Sequence, residues 1–164
     1  MVGLSNTVSP MQVTLPGEPK SQGYNNAQAH VDSIVAALAL VRLSERSAIV
    51  DPADFTPDMA ELARDCLWNE GDGSFALRDA INDYIIAQPL SITERGHRNS
   101  WSDGWETDHF EILLSTGGPH LHLEVTPDQL VRVIYQDFGS PEHSLPTTED
   151  EREALAWFAQ IVAA

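Results

Sequence analysis

The spacing of apolar residues changes at Pro89, and this change limits the folds that the chain can adopt. Before Pro89, apolar residues recur at helical intervals, beginning with Val31, Ile34, Val35, Leu38 and Val41. After Pro89 they alternate with polar residues in four segments, at 90–93, 108–116, 120–125 and 130–136. This order predicts an α+β fold, with an antiparallel meander of about four strands at residues 89–137. N-terminal helices and a C-terminal helix would pack on one face of that sheet.

Local signals set the expected bounds of the helices and of the domain. A first helix is expected at 26–46, as the buried centre of the fold. Thr56 is the expected N-cap of a second helix, which Gly71 would end. Residues 1–25 are rich in Ser, Asn, Pro and Gly and predict a flexible arm, within which 11–15 alternates as a short edge strand would. The remainder, 26–164, is expected to form one domain.

The charge of the chain is its most unusual property. Twenty-five acidic residues oppose nine basic ones, of which only Lys20 is a lysine, and the net charge is −16. Because this charge repels phosphate groups, direct binding to DNA or RNA is not expected. Three explanations stay open: a surface that favours solubility, adaptation to a salt-rich habitat, and recognition of a basic surface by imitating nucleic acid.

The sequence predicts a cytoplasmic protein. The first nineteen residues contain no Lys or Arg and no apolar run, so no signal peptide is expected. No stretch approaches the roughly 20 apolar residues that a membrane helix needs. The single cysteine, Cys66, excludes an intramolecular disulfide and fits a reducing compartment. It lies on the apolar side of the second helix, where a small buried residue is expected rather than a nucleophile.

The segment STGGPHLHLE, residues 115–124, predicts a hairpin whose register follows from side-chain parity. Opposite residues on antiparallel strands point to the same face. Three pairs would place apolar side chains on one face: Leu114–Leu121, Ile112–Leu123 and Phe110–Val125. Because Pro119 has no N–H to close a two-residue turn, a four-residue loop at 116–119 between Ser115 and His120 is expected.

The opposite face of this hairpin carries a candidate metal site. Its members would be His120, His122, Glu124 and Glu111, and two imidazoles with two carboxylates suit zinc or iron. Glu111 would face Glu124, which is unfavourable unless a cation or a protonated histidine lies between them. An outward sheet face is normally polar, however, and accepts histidine. A structural role is therefore favoured over a metal site, and no cofactor is expected.

Acidic residues recur at helical spacing around the second helix: Asp54, Asp58, Glu61 and Asp65. The last three would share one face, about 4.5–6 Å apart along the helix axis, and Asp72 would extend the negative surface. An ordinary solvated helix face gives the same pattern. These residues are the candidate partner-binding surface.

Two tryptophans, Trp101 and Trp105, lie in the polar loop at 96–107. A tryptophan in such a loop either folds back onto the sheet or anchors a partner, because aromatic residues dominate the binding energy of interfaces. Folding back is favoured for each, and both stay further candidates for partner binding.

Three segments resemble a group of short acidic accessory proteins carried by phages and integrative elements of proteobacteria. They read PLSI at 89–92, FEILLSTGGP at 110–119 and YQDFGSP at 135–141. Relatives carry Trp in place of Phe138 and Thr in place of Ser140. The resemblance covers roughly residues 89–141 and includes no established catalytic motif.

The resemblance implies a mobile-element context, in which small accessory proteins often inhibit host defences. The leading hypothesis is an anti-CRISPR-like inhibitor, not an enzyme, acting in the host cytoplasm. Its acidic face would bind the basic, nucleic-acid-binding surface of a target such as a CRISPR effector. One alternative is a metal-binding module or metalloenzyme that uses the His120, His122 and Glu124 face. The other is a structural or assembly protein whose acidic surface only confers solubility. No nucleic acid or membrane is an expected partner, and the oligomeric state stays open.

Overall fold

The computed structural model describes residues 12–13, 20–98, 100, 104–116 and 118–164. Its helices are α1 (Gln22–Arg46), α2 (Pro57–Asp65), α3 (Gly73–Ile86) and α4 (Glu149–Val162), with a short 3-10 turn at Pro52–Asp54. Its strands are β1 (Gln12–Val13), β2 (Ser91–His97), β3 (Glu106–Ser115), β4 (His120–Val125), β5 (Val131–Gln136) and β6 (His143–Leu145).

The strands form one sheet in the order β1-β6-β5-β4-β3-β2. The neighbours from β2 to β6 are antiparallel, so these five strands form a meander, and β1 joins β6 in parallel at the edge. The predicted α+β architecture is confirmed. The predicted sheet ended at residue 137 and therefore missed β6, whose three residues are too short to show a reliable alternation.

The helices pack on one face of the sheet, with α1 at the centre. α1 contacts the other three helices and also strands β4, β5 and β6. Fully buried side chains from both the helices and the sheet form the core between them, among them Leu40, Leu77, Ile112, Leu123 and Phe158. The expected buried position of the first helix follows from its nearly continuous apolar sequence.

α1 begins four residues earlier than the sequence suggested, because Ser21 caps it by accepting a hydrogen bond from the N–H of Tyr24 at 3.1 Å. Asp137, after β5, accepts a hydrogen bond from the N–H of Gly23 at 2.6 Å. A Cβ at residue 23 would lie 2.8 Å from that carboxylate, so glycine permits the close approach. Asp137 also places a negative charge at the positive end of α1.

The expected arm at residues 1–25 is described only in part. Gln12–Val13 belongs to the sheet as β1, within the segment where an edge strand was expected, and 22–25 belongs to α1. Residues 1–11 and 14–19 lie outside the described residues.

α2 starts as predicted but ends at Asp65, and the expectation that it would run to Gly71 is wrong. Leu67 adopts a left-handed conformation, with φ at 59°, which is usually left to glycine at the end of a helix. Trp68 then packs on Phe55 with ring centroids 5.8 Å apart. The N–H groups of Leu67 and Trp68 donate to the carbonyls of Arg64 at 2.9 Å and Ala63 at 3.1 Å, so a left-handed turn at Leu67, rather than at Gly71, ends the helix.

Cys66 follows α2 directly and packs against the core as a half-buried residue. Burial, together with the nearby charge of Asp65, raises the pKa of its thiol to about 11. A thiol that stays protonated at neutral pH is a poor nucleophile, in keeping with the expected packing role.

Candidate functional site

An acidic groove of about 270 Å³ lies between α1 and α2. We call it the α1–α2 groove, and its lining residues are Ala29, Asp32, Ser33, Asp58, Glu61, Leu62 and Asp65. α2 brings three carboxylates to it because intervals of three and four residues return to the same side of a helix. The sequence prediction that Asp58, Glu61 and Asp65 share one face is confirmed.

The fourth carboxylate of the groove, Asp32, was missed by the sequence prediction. It lies on α1 and accepts a hydrogen bond from Gln28 Nε2 at 2.9 Å. No feature of the sequence indicates that this turn of α1 faces α2, because Asp32 is an isolated acidic residue that repeats with no other acid at helical spacing along α1. Asp32 lies beside the α2 carboxylates because of the way in which the two helices pack.

The groove carboxylates lack cationic partners. Within the part of the chain that the structure describes, no Lys, Arg or His forms an ion pair with Asp58, Glu61 or Asp65. Arg64 lies on the same helix, but its Nε donates to the carbonyl of Ala60 at 3.3 Å. The negative charge of the groove is therefore left to solvent, or to a partner.

Two other predicted partner-binding acids lie outside this groove. Asp54 lines a separate cavity of about 330 Å³ between α1 and α4, which also holds Arg42 and Arg46. Asp72 lies in the turn before α3, where its Oδ2 accepts a hydrogen bond from the N–H of Asn69 at 3.1 Å. The acidic surface predicted from the sequence is thus divided among three places.

Trp105 folds back onto the edge strand β2. Its Nε1 donates to Glu94 Oε1 at 3.1 Å, and a Cβ at Gly96 would lie 2.8 Å from the indole ring. The side chain remains 49% exposed. Trp101 lies outside the described residues.

The hairpin of β3 and β4 has the predicted loop and most of the predicted register. β3 ends at Ser115 and β4 begins at His120, which leaves the expected four residues between them. Ile112 pairs with Leu123, and Phe110 pairs with Val125.

The predicted pairing of Leu114 with Leu121 is wrong, because a bulge places Ser115 opposite Leu121 instead. The Ser115 hydroxyl donates to the carbonyl of Pro119 at 2.8 Å and closes the loop within the turn. Leu114 nevertheless stays buried on the helix side of the sheet.

The other face of the hairpin, which we call the histidine face, carries His120, His122, Glu111 and Glu124. It is less open than the sequence implied, because His122 is only 5% exposed and Ile134, its partner on β5, is fully buried. His120 Nε2 and His122 Nδ1 are 3.1 Å apart. Burial lowers the pKa of His122, and the nearby carboxylates of Glu111 and Glu124 offset only part of that effect.

Two arginines from the flanking strands resolve the like-charge conflict of the histidine face. Glu111 does face Glu124, as predicted. Arg95 on β2 donates through Nε to Glu111 Oε2 at 3.1 Å, and Arg132, directly opposite Glu124 on β5, pairs with that carboxylate. Burial acts to raise the pKa of Glu111, but the hydrogen bond from Arg95 and the charge of His122 outweigh it and lower the pKa.

The pairing leaves no set of free ligands on this face. Among the described residues, no three His, Cys, Asp or Glu side chains come together to hold a metal ion. Both glutamates are engaged by arginine, so ion pairs take the place of the cation that two facing carboxylates require. The arrangement is that of a structural network.

No helix in the described ranges is long and apolar enough to cross a membrane. No family model, no curated protein and no solved structure matches this chain.

Proposed function

We propose that the protein inhibits a host defence complex, such as a CRISPR effector, by binding a basic, nucleic-acid-binding surface of that complex through the α1–α2 groove. The observation that supports this proposal is the convergence of four carboxylates from two helices on one groove, none of which has an ion-pair partner among the described residues. Charged groups that a protein leaves unpaired on its own surface retain their attraction for a partner.

The net charge of −16 supports the same mode of action. A strongly negative protein is steered towards a positive cleft and raises the association rate there, most of all at low salt. The three α2 carboxylates are about 4.5 and 6 Å apart along the helix axis, whereas phosphates recur about every 3.4 Å along a DNA strand. The acidic surface around the groove would therefore bind in the cleft and compete with nucleic acid, although the spacing of its carboxylates does not match the spacing of phosphates.

The resemblance of residues 89–141 to accessory proteins of mobile elements supplies the biological setting for this proposal. The turn YQDFGSP, one of the three resembling segments, holds Asp137 against the start of α1, and α1 carries one wall of the groove. The part of the chain that carries the resemblance is thus in contact with the helix that supports the proposed binding surface.

The test uses purified CRISPR effectors, each loaded with guide RNA, whose binding to target DNA is measured by gel mobility shift. The wild-type protein should inhibit at least one effector, and more strongly at low salt than at high salt. The triple variant Asp58→Asn, Glu61→Gln, Asp65→Asn should inhibit more weakly. Three exposed ion pairs contribute about 0.2–1 kcal/mol each, so the expected loss of affinity is about 3- to 150-fold.

A matched control removes three charges elsewhere: Glu45→Gln, Asp83→Asn and Glu142→Gln, all at exposed positions outside the groove. It should inhibit nearly as well as the wild type. Inhibition by the groove variant at wild-type strength, with unchanged salt dependence, would show that the groove is not the binding surface. Equal loss in both variants would show that only the total charge matters, as expected if the acidic surface serves solubility.

A further inference from the structure

A second cavity continues the α1–α2 groove along α1. It has a volume of about 210 Å³ and lies between α1, α3, α4 and the sheet. Its lining includes Ala29, His30 and Ser33 of α1 and the polar side chains of Asn26 and Gln88. Ala29 and Ser33 line both cavities, so the two are adjacent and meet at one turn of α1.

The two cavities differ in chemistry. The floor of the second cavity is apolar, because Ile34, Ile85, Leu114 and Phe158 belong to the buried core. None of the described residues that line it carries a carboxylate, and burial lowers the pKa of His30, which favours the neutral form of its imidazole. The α1–α2 groove beside it is lined by four carboxylates. The two adjacent cavities thus form a composite site, with an apolar floor in one cavity and carboxylates around the other.

The size of the apolar cavity indicates what it can hold. Sites for cofactors and drug-sized ligands usually measure about 300–1,000 Å³, and 210 Å³ is smaller than that range. One large apolar side chain, such as leucine or phenylalanine, fits such a volume. The three α2 carboxylates beside it extend over about 10 Å, a length that three residues of extended peptide also span.

We propose that this composite site is a docking site for a short basic segment of the partner protein. One large apolar side chain of the segment enters the 210 Å³ cavity, and two or more Lys or Arg residues nearby in the segment pair with Asp32, Asp58, Glu61 and Asp65. The occupant follows from charge complementarity in the α1–α2 groove and from the size and apolar floor of the second cavity. This inference rests on the proposed function and adds to it the chemistry of the sequence that the groove recognises.

The proposal is tested by selecting binders from a library of random peptides of about twelve residues displayed on phage, with the full-length protein immobilised. Enriched sequences should combine at least two Lys or Arg with one large apolar residue close to them. The binding of one enriched synthetic peptide is then measured by fluorescence anisotropy. Replacing its apolar residue by alanine should weaken binding about 10- to 100-fold, as expected when a buried apolar contact is lost.

Two protein variants locate the contact. Ala29 is exposed and lines both cavities, so Ala29→Phe should place a ring at their junction without disturbing the core. Asn82→Phe, at an exposed position of α3 that lines neither cavity, is the matched control. Ala29→Phe should weaken peptide binding about tenfold or more, and Asn82→Phe should leave it unchanged, with melting temperatures close to the wild type for both.

The outcomes separate this inference from the proposed function. If the enriched peptides are basic but show no apolar preference, or if Ala29→Phe binds the selected peptide as tightly as the wild type, the docking inference is overturned while the acidic groove can still bind a basic partner. If the triple variant Asp58→Asn, Glu61→Gln, Asp65→Asn binds the peptide as tightly as the wild type, both the groove and the docking site are overturned.

Discussion

Two clusters of carboxylates lie on different faces of this protein, and they differ in how their charge is compensated. On the histidine face, Glu111 of β3 lies directly opposite Glu124 of the adjacent strand β4, and each pairs with an arginine from a flanking strand. In the α1–α2 groove, Asp58, Glu61 and Asp65 converge without an ion-pair partner among the described residues. The negative charge of the first cluster is compensated by arginines of the same fold, whereas the negative charge of the second is not.

The difference separates two roles that look alike in a sequence. Partly buried charges must be paired, because an unpaired charge away from water costs the fold considerable free energy. Exposed charges on a helix impose no such requirement and are free to interact with solvent or a partner. We therefore expect changes on the histidine face to alter stability, and changes in the groove to alter binding.

The largest effect on stability is expected when Arg132 is replaced by methionine. This variant leaves the Glu124 side chain, which is only 16% exposed, without its partner and opposite Glu111. The free energy of unfolding should fall by about 1–3 kcal/mol, as measured by urea denaturation. The added change Glu124→Gln should restore part of the loss. Equal stability of Arg132→Met and the wild type would mean that the histidine face does not depend on its ion pairs.

A smaller effect is expected from pH. Burial lowers the pKa of His122 in the folded protein below its ordinary value of 6.5, so below pH 6.5 the unfolded chain binds more protons at this residue. Stability is therefore complete above pH 6.5 and declines as the pH falls through the folded pKa. Burial also lowers the pKa of His30, so His30 makes stability decline in the same direction as the pH falls.

Urea denaturation of the wild type and of His122→Gln between pH 5 and 8 checks this expectation. The variant should lose less stability than the wild type between pH 6.5 and pH 5, while the contribution of His30 remains in both. A variant whose stability follows the same pH dependence as the wild type would show that His122 is not held neutral by the fold.

The groove variant Asp58→Asn, Glu61→Gln, Asp65→Asn should change stability least among the charge variants. None of the three side chains pairs with a cation in the described part of the chain, and surface changes of this kind usually stay within about ±0.5 kcal/mol. Urea denaturation measures the difference. A loss of more than about 1 kcal/mol would indicate that the carboxylates hold α1 and α2 together, and would remove the contrast between the two clusters.

No metal is expected to bind at the histidine face, because the arginines already compensate both glutamates. Elemental analysis of the purified protein, and melting curves with added zinc or ferrous iron, should show no stoichiometric metal and no change in melting temperature. Stoichiometric metal that is lost in His120→Ala, His122→Ala would reverse the interpretation of this face.

Much of the fold was predictable, because it rests on local patterns. The change of period at Pro89 gave the order of helices and strands, and parity gave the hairpin loop. The same cross-strand reasoning could have predicted the arginine partners, because Arg132 lies directly opposite Glu124 and Arg95 lies diagonally across from Glu111. The facing glutamates were a signal to search the flanking strands for cations.

The rest depends on packing between distant parts of the chain. α2 ends at Asp65 in a left-handed turn at Leu67, a residue that local preference does not favour in this conformation, and Trp68 beyond the turn packs on Phe55. The bulge between Leu113 and Ser115 interrupts the regular pairing that the parity argument assumed, and beside it the Ser115 hydroxyl donates to the carbonyl of Pro119. Asp32 joins the acidic groove only because α1 packs beside α2. Helical spacing therefore identified three members of the candidate site, whereas the fourth required the tertiary structure.

We propose that the unpaired carboxylates of the α1–α2 groove, rather than the histidine face, contact the partner. Hydrogen–deuterium exchange of the protein, alone and bound to an effector that it inhibits, distinguishes the two surfaces. Binding through the groove should add protection in residues 29–33 and 57–65, with little change in residues 111–124. Protection confined to residues 111–124, with none in α2, would contradict it.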